Sequence, residues 1–142
     1  MADDPLELER QVCFALSVAS RSVVALYRPL LEPMGLTHPQ YLVMLALWQQ
    51  APLSVRDLSR LLQLDPGTLS PLLKRLETIG YVDRQRDPSD ERSLALTLTE
   101  RGRGLRSEAE KIPPAIVARL GMPIEELESL HAALTRVIAA AH

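Results

Sequence analysis

The run LSVRDLSRLLQLDPGTLSPLLKRLETIGYVDRQRDPSDERSLALTLT, residues 53–99, decides the fold. Ser54, with Asp57 three positions on, has the form of a capping box, and Val55, Leu58, Leu61 and Leu62 recur at helical spacing. These residues predict a short helix. After Gln63 and Leu64, Asp65 suits an N-cap and Pro66 the first helical position, where a missing N–H costs nothing. In the second helix that follows, Leu69, Leu72, Leu73, Leu76 and Ile79 make one face. Gly67, Thr68, Ser70, Lys74, Arg75 and Thr78 make the other, and Gly80 ends the helix. Tyr81 to Arg86 and Ser93 to Leu98 then read as two strands. In the second, Leu94, Leu96 and Leu98 alternate with Ser93, Ala95 and Thr97, and Asp87, Pro88, Ser89 and Asp90 make the turn between the strands.

Helix, turn, helix and charged hairpin, in that order, predict a winged helix-turn-helix: a mainly α fold with a small β-hairpin wing. The polar face of the second helix is small near its start, which lets a helix N-terminus approach base edges and phosphates in a major groove. Thr68, Ser70, Lys74 and Arg75 are the candidate DNA contacts there. Arg84, Arg86 and Arg92 flank the hairpin tip, where a wing meets a minor groove, and the carboxylates Asp83, Asp90 and Glu91 stand beside them as wing support.

At 142 residues and 46% hydrophobic composition the chain, 1–142, is expected to form one domain with a modest core. No signal peptide, apolar run of membrane-spanning length or repeat is evident, so a cytoplasmic protein without a membrane partner is expected. The net charge of −2 argues against indiscriminate nucleic-acid binding, and between Arg56 and Arg92 basic and acidic residues number seven each. Binding would depend on where the arginines point. A single cysteine, Cys13, excludes an intramolecular disulfide or a cysteine zinc site, and His38, His131 and His142 lack ligand spacing. No metal, cofactor or catalytic residue is expected.

The flanks carry apolar stripes. Pro5 to Leu31 reads as one long helix with Leu8, Val12, Ala15, Leu16, Ala19, Val23, Leu26 and Leu30 in line, too long for this domain to cover. Ile124 to Ala141 repeats the pattern with Leu127, Leu130, Leu134, Val137, Ile138 and Ala141. Between them lie a helix from Pro39 to Gln50 and one from about Glu100, interrupted at Pro113 and Pro114. Terminal dimerisation helices, about 5–32 and 112–141, around a winged-helix region of about 53–99 predict a homodimer whose symmetry matches a pseudo-palindromic double-stranded operator.

The segments LSVRDLSRLL and LDPGTLSPLLKRLETIGYVDRQRDPSDERSLALTLTERG resemble the MarR family of bacterial transcription regulators, most specifically in Asp83 to Arg86 and Asp90 to Arg92. The stretch LERQVCFALSVASRSVVALYRPLLEPMGLTHPQYLVMLALWQ resembles the first two helices of that family's organic-hydroperoxide-sensing branch, OhrR. The resemblance implies that Cys13 is a redox sensor whose thiolate accepts hydrogen bonds from the other subunit, one of them from Tyr27. The second such position holds His38 where the branch has tyrosine. Ser17 replaces an aromatic one turn after the cysteine, and Pro66 replaces a serine of the recognition helix. Fourteen residues are close to four helical turns, so Cys13 and Tyr27 share a face about 21 Å apart and meet only across a dimer.

The implied chemistry is oxidation of Cys13 by an organic hydroperoxide to a sulfenic acid, then capture by a low-molecular-weight thiol, with release of the operator. Two alternatives stand beside it. One is a repressor released by a small phenolic or aromatic ligand, with an inert Cys13. The other is a thiol peroxidase, which the lack of a resolving cysteine disfavours.

Overall fold

A computed structural model describes residues 4–87 and 90–142, without the side chains of Asp87, Asp90, Glu91, Arg92 and Ser93. The chain divides into two compact units, Met1–Ala109 and Glu110–His142.

In the first unit a 3-10 turn at Leu8–Arg10 precedes α1 (Val12–Leu31), and a second at Glu32–Met34 leads to α2 (His38–Gln50). The helix expected from Pro5 thus begins at Val12. Gln11 is extended, and its side-chain amide donates to the carbonyls of Pro5 and Glu7 at 2.9 and 3.1 Å, a local alternative to helical bonding. Cys13 is therefore the second residue of α1. Thr37 and Gln40 form a capping box at the start of α2.

The expected Ser54–Asp57 box starts α3 (Val55–Leu62), with bonds of 3.0 and 3.1 Å. Asp65 caps α4 (Pro66–Ile79), which closes at Gly80 with φ 97°, a conformation open to a residue without Cβ. The helix runs through Pro71, whose ring removes one main-chain bond.

The wing carries one strand more than the expected hairpin. Strand β1 (Leu53–Ser54) pairs with β3 (Asp90–Leu98), which also pairs with β2 (Val82–Asp87), giving an antiparallel sheet of order β1-β3-β2. Leu53 faces Leu96 and Ser54 faces Ala95; Val82 faces Leu98 and Arg86 faces Leu94. Strand β3 starts three residues before the expected Ser93. The turn positions Pro88 and Ser89 lie outside the described residues.

Val43, Met44 and Leu47 of α2, Leu58 of α3, Leu69, Leu73 and Leu76 of α4, and Val82 and Leu96 of the sheet are almost wholly buried. Each such side chain contributes roughly 1.5–3 kcal/mol by leaving water. Leu61, placed on the packing stripe by its spacing, is instead exposed.

The helix expected from Glu100 is two short ones, α5 (Glu100–Gly104) and α6 (Arg106–Ala109). The Thr99 hydroxyl accepts from the Gly102 N–H at 3.0 Å and donates to the Gly80 carbonyl at 2.6 Å, fixing α5 to the end of α4.

In the second unit, α7 (Ile112–Leu120) and α8 (Ile124–Ala141) are separated by a left-handed Gly121 and by Pro123. Pro113 and Pro114 occupy the first turn of α7, where proline is tolerated, and so begin a helix. Helix α8 leaves Ile124, Leu130, Val137 and Ile138 exposed. Helix α1 leaves Val12, Phe14, Val18 and Val24 exposed and wholly buries only Leu31. By length and composition Val12–Met34 is apolar enough to cross a membrane, against the expectation that no such run exists. Arg21, Arg28 and Glu32 are its only charged residues.

Candidate nucleic-acid interface and thiol site

The N-terminus of α4 is fixed by Asp65, whose carboxylate accepts from the Thr68 N–H at 2.8 Å and from its hydroxyl at 3.0 Å. Those bonds, the backbone one foremost, hold the Asp65 carboxyl below its ordinary pKa and keep it ionised. Thr68, Ser70, Lys74 and Arg75 are all exposed on α4, on the side away from buried Leu69, Leu73 and Leu76. The helix thus presents a free polar flank that starts with small side chains and ends with two cations.

On the wing, Arg86 is exposed on β2. Arg84 donates through Nε to Glu77 of α4 in a half-buried ion pair, which ties the wing to the reading helix. The sequence contains this pair, but a spacing of seven across a helix, a turn and a strand gives no local signal for it. Asp83 is exposed and makes no ion pair among the described side chains. Arg92 and Asp90 belong to β3, but their side chains lie outside those described.

Cys13 is an exposed free thiol at the start of α1. One turn on, the Ser17 hydroxyl accepts from the Arg21 guanidinium at 2.8 Å. Tyr27 lies near the other end of α1, and its ring meets that of His38, the first residue of α2, edge-on at 4.8 Å between centroids. The two residues expected to serve one thiolate are therefore together in one protomer, while Cys13 is four turns away. Tyr41 of α2, which the sequence did not single out, completes the cluster at 5.7 Å from Tyr27 and 6.2 Å from His38.

Burial raises the phenol pKa of Tyr27 and lowers that of the His38 imidazole. Tyr41 is raised by burial and then by the neighbouring Tyr27. At neutral pH all three are uncharged. A cavity of about 350 Å³ opens beside the cluster, lined by Val24, Arg28, Leu31, Leu36, Thr37 and His38 among others. Among the described residues no group of His, Cys, Asp and Glu could hold a metal ion.

A profile of the MarR family matches residues 36–94, from the approach to α2 into the wing. The chain is 40% identical over 139 residues to the organic hydroperoxide resistance transcriptional regulator of Bacillus subtilis, covering 98% of this chain and 95% of that one. It is 45% identical over 128 residues to the HTH-type transcriptional regulator TtmR of Methylorubrum extorquens, spanning 90% of this chain and 66% of that one. Among solved structures, reduced AbfR bound to DNA, a protein of Staphylococcus epidermidis, superposes with a TM-score of 0.77 at 34% identity, over 94% of both chains. With its reading head matched by the family profile and nearly its whole length matched by one such regulator, the chain belongs to the MarR family of winged-helix transcriptional regulators.

Proposed function

We propose that this chain is a homodimeric, cytoplasmic repressor that binds a pseudo-palindromic double-stranded operator and releases it when an organic hydroperoxide oxidises Cys13. The observation that carries this reading is the Tyr27–His38 pair at 4.8 Å, held apart from the thiol of its own chain. Only a second copy, with its α1 lying against this one, brings a thiol to that pair. The 40% identity to a regulator of organic hydroperoxide resistance supports the same reading. An apolar α1 left uncovered by its own chain is then covered by protein, in keeping with the soluble regulators of this family.

Tyr27 and His38 act as uncharged hydrogen-bond donors to the partner's thiolate, since burial keeps the phenol protonated and the imidazole neutral. The thiolate attacks the distal peroxide oxygen; an S–O bond forms, the O–O bond breaks, and the departing alkoxide takes up a proton. The products are a Cys13 sulfenic acid and an alcohol. A low-molecular-weight thiol then displaces water to give a mixed disulfide. Either product loses the charge that the donors hold, which loosens the contact between subunits.

On the DNA side, Thr68, Ser70, Lys74 and Arg75 enter a major groove while Arg84, Arg86 and Arg92 serve the wing, with Asp83 and Asp90 in support. Glu77 holds Arg84 against α4, so the wing and the reading helix approach DNA as one body.

Organic hydroperoxide is expected to abolish operator binding by the wild-type protein and to leave Cys13→Ser bound, with intact mass read on the same samples. Equal loss in both proteins would sink the proposal. The cavity of about 350 Å³ beside His38 favours a second reading, release by a small phenolic ligand with Cys13 inert. Ligand-driven release without a mass change at Cys13 would identify it.

A further inference from the structure

We infer that Tyr81 is the joint through which the state of α1 reaches the reading helix. This rests on the reading above, in that the signal starts from the helix carrying Cys13 and Tyr27. The Tyr81 hydroxyl donates to the Met34 carbonyl at 2.7 Å in a buried bond between residues 47 apart. Met34 ends the 3-10 turn that continues α1, and the Leu36 N–H folds back onto the Leu31 carbonyl at 3.2 Å, so Met34 moves with the end of α1.

On the other side, the Tyr81 N–H donates to Leu76 of α4 at 3.0 Å, one residue past the Gly80 that closes that helix. The side chain therefore holds α1 and the backbone holds α4.

Tyr81 is clamped on its remaining sides. Its carbonyl accepts from the Thr99 N–H at 3.0 Å. The Arg101 guanidinium lies 5.0 Å above the ring centroid and donates to the Ile79 carbonyl at 2.5 Å. Gly102 is packed so tightly against it that a Cβ there would fall 2.1 Å from the Tyr81 carbonyl oxygen, and the Gly102 carbonyl is itself held by the Trp48 indole N–H at 2.9 Å. A residue gripped this way cannot follow α1 without dragging the end of α4. A cavity of about 280 Å³, lined by Pro33, Met34, Tyr81, Arg101 and Glu108 among others, lies beside the joint.

Tyr81 is thus a positioning residue, outside both the thiol chemistry and the DNA contacts. The test is Tyr81→Phe, which keeps the ring and removes the hydroxyl, with operator affinity measured in the reduced and peroxide-treated states and Cys13 oxidation followed by mass. Oxidation is expected to weaken operator binding by wild type about tenfold or more, within the usual range of coupling between sites. In Tyr81→Phe the same oxidation should proceed at the wild-type rate and change affinity less than about threefold.

A merely structural role would lower affinity or melting temperature alike in both redox states and leave their ratio at the wild-type value; that outcome overturns the proposal and leaves the thiol reading intact. A wild-type protein that is oxidised yet stays bound overturns both. If Tyr81→Phe does not fold, Arg101→Met removes the clamp between ring and Ile79 carbonyl, and a wild-type ratio there overturns the proposal.

Discussion

His38 stands where Tyr27 and Tyr41 converge, with Arg28 and Glu32 lining the adjoining cavity. Burial lowers its pKa below the ordinary value of about 6.5, so the folded protein binds the proton less readily than the unfolded chain does. Above about pH 6.5 both states are neutral and His38 gives stability no pH dependence. As pH falls through that value the unfolded state gains its proton first, stability declines, and the decline levels off below the lower folded pKa. His38→Tyr, the family-typical residue, removes this titration. The wild-type melting temperature is expected to drop more than that of His38→Tyr between pH 7.5 and 5.5. Parallel curves for the two proteins would show that the imidazole is not protonated at a disadvantage in the folded state.

At the scale of elements, α4 offers cations without a cationic surface, since seven basic and seven acidic residues share the segment from Arg56 to Arg92. Lys74 makes no ion pair among the described side chains, whereas Arg84 is held by Glu77. Lys74→Ala is expected to weaken binding to operator and unrelated DNA alike and to reduce the slope of log affinity against log salt by about one. Fluorescence anisotropy across salt concentrations reads the slope, and an unchanged slope would place Lys74 off the phosphates. Helices α3 and α4 were legible in the sequence because their signals are local: the Ser54–Asp57 box, the Asp65–Pro66 start and the Gly80 stop each fall within one turn. What was not legible depends on distant partners. Strand β1 is two residues long and exists by pairing with Leu96 and Ala95 some forty positions later. The late start of the first helix comes from a side chain, Gln11, bonding backward to Pro5 and Glu7 in a segment whose apolar spacing alone reads as continuous helix. The same distinction separates the candidate site: Cys13 and Tyr27 share one helix at a countable spacing, while Tyr41 meets Tyr27 only because α2 packs against α1.

For the whole molecule, the question is what covers the apolar faces of α1 and α8. Each helix leaves large hydrophobic side chains in water, Val137 and Ile138 at 46% and 48% exposure on α8 and Val12 at 69% on α1. For the proposed homodimer, whose two reading heads serve a two-fold operator, a second copy is the covering that satisfies both demands. Ile138→Asp places a charge on the exposed face of α8, far along the chain from α4 and the wing, at a side chain that is not part of the buried core. The variant is expected to run as a monomer at concentrations where wild type is a dimer, by light scattering after size exclusion. Its melting temperature should lose the concentration dependence that dimerisation imposes on wild type. Operator affinity should fall about 100-fold or more, because one linked binding event becomes two independent ones, while weak binding to a single half-site persists. A dimeric Ile138→Asp with wild-type operator affinity would show that α8 is covered by something other than its own symmetry mate.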